Sequence, residues 1–141
     1  MLIDDRLLAG VIRAGSTAGL GPGANRVATT GLWFFRLCRA ARAPLRGTLT
    51  RALGDPTVDD QIALVREVRL PSFVSLVSLA DLAPTMATLS TRHRLNVLGL
   101  EALAAALHLG VGIHVAASNV GPKLRAAAAA EGVPYVVIAN P

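Results

Sequence analysis

Residues Arg92 to Ile138 constrain the fold more than any other part of the chain. They read RHRLNVLGLEALAAALHLG, VGIHVAAS, NVGPKLRAAAAAEG and VPYVVI in succession. The first and third segments have the length and the Ala/Leu content of helices, whereas the second and fourth are apolar runs too short to be helices. An order of helix, strand, helix, strand signals a parallel sheet with helices packed on its faces. Right-handed crossovers then lay His114 beside Val136 on neighbouring strands.

The rest of the chain is fitted around that frame. Met1–Ile3 reads as a short strand, so Asp4 falls at its carboxy-terminal end, the edge where open α/β sheets bind ligands. Asp5 is expected to cap a helix over Arg6–Ala14 by accepting from the first-turn amides. Ser72–Leu79 (SFVSLVSL) alternates apolar and small polar residues, as a half-buried strand does. With the two later strands, this predicts a mostly parallel central sheet of about four strands in a three-layer α/β/α sandwich, built by a single domain over residues 1–141.

Helices are expected from Gly31, capped by Thr29 and Thr30 and halted by Pro44, then over Pro44–Leu53 and from Thr57 or Asp59 to Glu67. Asp81–His93 follows, with Pro84 placed in its first turn. Leu98–Leu109 ends at Gly110, and the last helix starts at Pro122 and closes at Gly132. Gly15–Ala28 carries glycines at 19, 21 and 23, but no lysine precedes position 123 and a helix, not a strand, comes before. That context fits neither a Walker loop nor a dinucleotide fingerprint, so the segment reads as a connector.

Composition narrows the class. A single cysteine, Cys38, excludes an internal disulfide and a Cys-based metal cluster, which suits a reducing cytoplasm. Asp4 and Asp5 interrupt the start where a secretory signal needs basic and apolar residues. Leu95–Ala117 is strongly apolar, but Glu101, His108 and the Gly110–Gly112 break favour a helix-loop-strand in a soluble core over a membrane span. The net charge of +5 is unevenly placed: eight arginines lie between Arg6 and Gly54 with no Asp or Glu among them. Arg36, Arg39 and Arg42 share one side of the helix that begins at Gly31, opposite Trp33 and Leu37; Arg46, in phase with them if the helical phase carries past Pro44, and Arg51 extend the stripe through the next short helix. This is a surface for RNA or an acidic protein partner, or else a solvated helix face.

The opening MLIDDRLLAGVI and the closing RHRLNVLGLEALAAALHLGVGIHVAASNVGPKLRAAAAAEGVPYVVI resemble the PIN domain, the fold of many toxin ribonucleases and RNA-processing nucleases; the middle fits only by order of elements. The resemblance implies a nuclease centre in which several carboxylates at the sheet edge hold Mg²⁺ or Mn²⁺, which activates water and stabilises charge on phosphate. Asp4 takes the place of the family's first catalytic aspartate. Arg36 falls near the expected helical glutamate, Gly99 lines up with the expected helical aspartate, and Glu101 comes two residues later. Asn119 stands where the last acid belongs. The resemblance therefore implies Asp4, Glu101 and Asn119 as catalytic positions and Asp4 and Glu101 as metal ligands, in a centre short of acids.

Three readings remain open. One is a PIN-like module that binds RNA or protein through a degenerate metal centre. Another is an active Mg²⁺- or Mn²⁺-dependent endoribonuclease, such as the toxin of a toxin–antitoxin pair. The third is an interaction subunit that meets an acidic protein. A homodimer is the expected assembly for a PIN-like chain with this apolar fraction. The histidines 93, 108 and 114 lack ligand spacing for an ion, and no nucleophile elbow occurs.

Overall fold

A computed structural model of the chain describes residues 1–21, 24, 26–42 and 69–139. Five strands, β1 (Leu2–Ile3), β2 (Val27–Thr30), β3 (Val74–Val77), β4 (Ile113–Ala116) and β5 (Tyr135–Ile138), form one all-parallel sheet in the order β3-β2-β1-β4-β5. The helices are α1 (Asp5–Ala14), α2 (Gly31–Arg42), α3 (Leu79–Arg92), α4 (Val97–Leu109) and α5 (Pro122–Ala130). The three-layer α/β/α expectation holds, with five strands in place of four. His114 pairs with Val136 as the crossover argument requires.

The period of two along each strand divides the core into two clusters. Leu2, Ala28, Val77, Ile113 and Val115 point to the side covered by Leu82 and Leu89 of α3, the apolar face of α4, and Ala127 and Ala128 of α5. Ile3, Val27, Val74 and Ala116 point to the other side, where Leu7, Leu8 and Val11 of α1 and Leu37 of α2 close the layer. Trp33 belongs to the first cluster although its helix lies mostly over the second. It reaches round the carboxy-terminal edge of the sheet and ties the two layers there.

The extra strand is β2, which begins inside the segment read as a connector. Its four residues are all buried, yet two are threonines, so no apolar run announces it. Burial of Thr29 and Thr30 is tolerated because Thr29 Oγ1 donates to the Ile3 carbonyl at 3.1 Å and Thr30 Oγ1 accepts from the Trp33 amide at 3.3 Å. The second contact is the expected cap of α2. β3 is shorter than expected, and only Val74 and Val77 are buried, so the anticipated alternation is absent. α3 starts at Leu79, capped by Ser78, which puts Pro84 in the interior and not in the first turn. Gly110 ends α4 in the left-handed region, at φ 64°, as a glycine cap does. The helices expected over Pro44–Leu53 and up to Glu67 lie outside the described residues.

Candidate site at the carboxy-terminal edge of the sheet

The strand order reverses at β1: β2 and β3 lie to one side, β4 and β5 to the other. Such a switch point leaves a crevice beyond the strand ends, between β1 and β4. The two residues that follow β1 are Asp4 and Asp5, and both side chains are fully buried. They close this crevice.

Asp4, not Asp5, is the cap of α1. Its Oδ1 accepts from the Leu7 amide at 2.9 Å, the bond expected of an N-cap aspartate. Asp5 is the first helical residue. The expectation was off by one because β1 ends after Ile3, and the residue that leaves the strand with extended geometry is Asp4 (ψ 174°). The second oxygen of Asp4, Oδ2, accepts from the Ala116 amide at the end of β4 (3.1 Å) and from Asn119 Nδ2 (2.7 Å). One carboxylate thus caps a helix and bridges the crevice.

Asn119 also donates to Asp5 Oδ1 at 3.1 Å, so its amide nitrogen sits between the two acids. Arg36 reaches Asp5 from α2, with Nε 3.1 Å from Oδ2. The contact is one of charge to charge, without the alignment of a hydrogen bond. Burial raises the pKa of Asp5 to about 6, Arg36 opposing that rise and Asp4 adding to it. Burial also raises Asp4, against the pull of its bonds to Leu7, Asn119 and Ala116. The two acids are neighbours in a dry site, and the groups holding them are an amide and a guanidinium.

Glu101 is also fully buried, on α4. Both of its oxygens accept from the Leu32 amide, at 3.2 and 3.0 Å. The carboxylate therefore serves an orphan donor in the first turn of α2 and places negative charge at that helix's positive end. Gly31 permits the approach, since a Cβ there would stand 3.3 Å from Glu101 Oε1.

Divalent-ion chemistry requires oxygens with lone pairs free to converge. Here the donor set does not fit such an ion. Asp4 is engaged by three N–H groups, Asn119 turns its nitrogen toward the acids, Glu101 is occupied by Leu32, and Arg36 brings the positive charge. Among the described residues, no group of three or more His, Cys, Asp or Glu could hold a metal. His108 is exposed although Glu101, on the same helix, is buried.

Beside the acid cluster, on the same edge of the sheet, lies a pocket of about 560 Å³. Trp33 and Arg36 of α2 form one wall, Arg94–Asn96 with Leu98 and Gly99 a second, and Ser118 to Leu124 the third. Asn96 caps α4 there through the Gly99 amide (2.9 Å), and the Tyr135 hydroxyl accepts from the Gly121 amide at 3.1 Å to fix the turn before α5. The lining contains three cationic side chains, Arg36, Arg94 and Lys123, and no carboxylate. Neither Arg94 nor Lys123 pairs with an acid among the described residues.

Of the arginine stripe, Arg36 is thus bound to Asp5 and turned toward the pocket, and Arg39 is exposed. Arg42 is the last residue of α2, and its side chain, with Arg46 and Arg51, lies outside the described residues. Arg94 and Lys123 lie outside the residues that the sequence assigns to the site. Nothing in the residue pattern sets either apart: Arg94 lies in the segment between α3 and α4, and Lys123 in the first turn of α5. Comparison of the chain with family models, curated proteins and solved structures gave no match.

Proposed function

We propose that this chain is a PIN-like, RNA-associated binding module whose metal centre has become an internal ionic cluster. The observation that carries this reading is the contact of Arg36 and Asn119 with the Asp4–Asp5 pair. At the sheet edge, where the resemblance implies a divalent cation held by carboxylates, a guanidinium and an amide nitrogen meet them instead. The same edge carries a pocket lined by cations. Negative charge is therefore neutralised from within the protein, and positive charge is left for a ligand. The chain's net charge of +5 supports an anionic partner, and phosphate contacts need no base-specific readout.

The test is RNA binding and cleavage by the full chain. Single-stranded RNA should bind with an affinity that falls as salt rises, and remain uncut with Mg²⁺ or Mn²⁺. Mn²⁺-dependent cleavage that disappears in Asp4→Asn would replace this reading with that of an active endoribonuclease. Binding of an acidic protein with no RNA affinity would replace it with that of an interaction subunit.

A further inference from the structure

The geometry points to the pocket between α2, the start of α4 and the start of α5 as a site for one phosphorylated nucleotide, free or at the end of an RNA chain. The inference rests on the reading of an RNA-associated module but narrows it from a charged surface to a single concavity. Three features carry it. The pocket's volume of about 560 Å³ lies within the range typical of small-ligand sites and suits one nucleotide better than a length of strand.

The charge in the pocket is one-sided. Arg94 and Lys123 are exposed at its walls with no acidic partner among the described residues, and Arg36 lies between the pocket and Asp5. Two helices also begin there. Asn96 already takes the Gly99 amide of α4. α5 has no side-chain cap, so the amides of Lys123 and Leu124 in its first turn have no acceptor within the helix. The side chains supply the net charge and the α5 terminus adds oriented donors.

The third feature is the composition of the remaining wall. Trp33, Leu95, Leu98 and Val115 line it, which a site for inorganic phosphate alone would not need. Trp33 is 2% exposed, too little to serve as a stacking platform, so Leu95 and Leu98, which are partly exposed, are the open part of this wall. A nucleotide matches both halves: its phosphate meets Arg94, Lys123 and the α5 amides, and its sugar and base cover the apolar wall. A fully extended strand would leave Leu95 and Leu98 in water.

The experiment uses the full chain and measures binding of adenosine 5′-monophosphate, adenosine, and a short oligoadenylate with and without a 5′-phosphate. The expected result is that the monophosphate binds at least about tenfold more tightly than adenosine, as loss of charge-assisted contacts implies. The 5′-phosphorylated oligomer should likewise exceed its unphosphorylated form. Arg94→Ala with Lys123→Ala should weaken monophosphate binding by about tenfold or more and flatten its salt dependence. Both side chains are exposed, so the circular dichroism spectrum should not change; Arg94→Lys with Lys123→Arg, which keeps the charge, should retain binding.

Equal binding of adenosine and its monophosphate, or unchanged binding in the double alanine variant, overturns the site. So does competition by an acidic peptide as strong as that by the monophosphate. The two levels of the reading fail separately. A monophosphate that binds while no oligomer does leaves the nucleotide site standing and removes RNA as the partner. RNA binding that ignores both the end phosphate and the double variant keeps RNA and removes this pocket.

Discussion

At the scale of single residues, the acids of the site are held by the fold and also hold it. Asp4 accepts from Leu7, Ala116 and Asn119, three donors contributed by α1, β4 and the turn after β4. An asparagine at position 4 has only one accepting oxygen and must turn its own N–H₂ toward one of those donors. Asp4→Asn can still cap α1 with its one oxygen but leaves a buried donor unpaired, and should therefore destabilise the chain by about 1–3 kcal/mol in urea denaturation. Stability equal to the parent's would show that Asp4 is not a structural bridge.

Asp5 makes a different prediction because burial, the largest influence, raises its pKa to about 6 from an ordinary value of 3.8. Between those values the folded chain keeps a proton that the unfolded chain releases. Stability contributed by this group is thus present below about pH 4 and is lost as pH rises through about 6. The loss is on the order of 3 kcal/mol, complete above the folded pKa. Asp5→Asn should remove that slope from the pH dependence of the unfolding free energy. An identical slope in the variant would place the titration elsewhere.

At the scale of elements, Glu101 joins α4 to the first turn of α2 through the Leu32 amide. Removing the carboxylate leaves that amide without its acceptor and opens a cavity behind Gly31. Glu101→Ala should cost about 3 kcal/mol, and Glu101→Gln, which keeps an accepting oxygen, roughly half as much. Thermal unfolding followed by circular dichroism separates them. Equal losses in the two variants would mean that the Leu32 contact contributes little.

The elements also show what the sequence could disclose. β4, α5 and β5 were legible down to the pairing of His114 with Val136, because short apolar runs between Ala-rich helices admit one arrangement. β2 was not, since its threonines satisfy their hydroxyls through Ile3 and Trp33, partners distant in the sequence or hidden in the turn. Asp4 was legible as the residue that ends a strand. The Arg36–Asp5 contact was not: it joins two helices, and no periodicity relates positions 5 and 36. Glu101 stands out in the sequence as an acid in an apolar helix, but its bond to Leu32 depends on where α2 begins.

At the scale of the whole molecule, charge is sorted between interior and surface. Three buried carboxylates, Asp4, Asp5 and Glu101, lie at one edge of the sheet and are answered by N–H groups and one guanidinium. Arg94 and Lys123 remain exposed on the pocket walls beside them. No described helix is long and apolar enough to cross a membrane. If Arg94 and Lys123 together neutralise about two phosphate charges at an RNA end, log affinity should fall with log salt at a slope of about −1.4. A slope near zero would remove phosphate as the main contact.

The central claim is that these carboxylates answer to the protein's own donors and not to a metal ion. Titration of the isotope-labelled chain with Mn²⁺, followed by nuclear magnetic resonance, tests it most directly, because a bound paramagnetic ion erases the signals of nearby amides. The amides of Leu7, Leu32 and Ala116 should keep their intensity relative to the rest of the chain. Selective, saturable loss of those three signals, abolished by Asp4→Asn, would contradict the account.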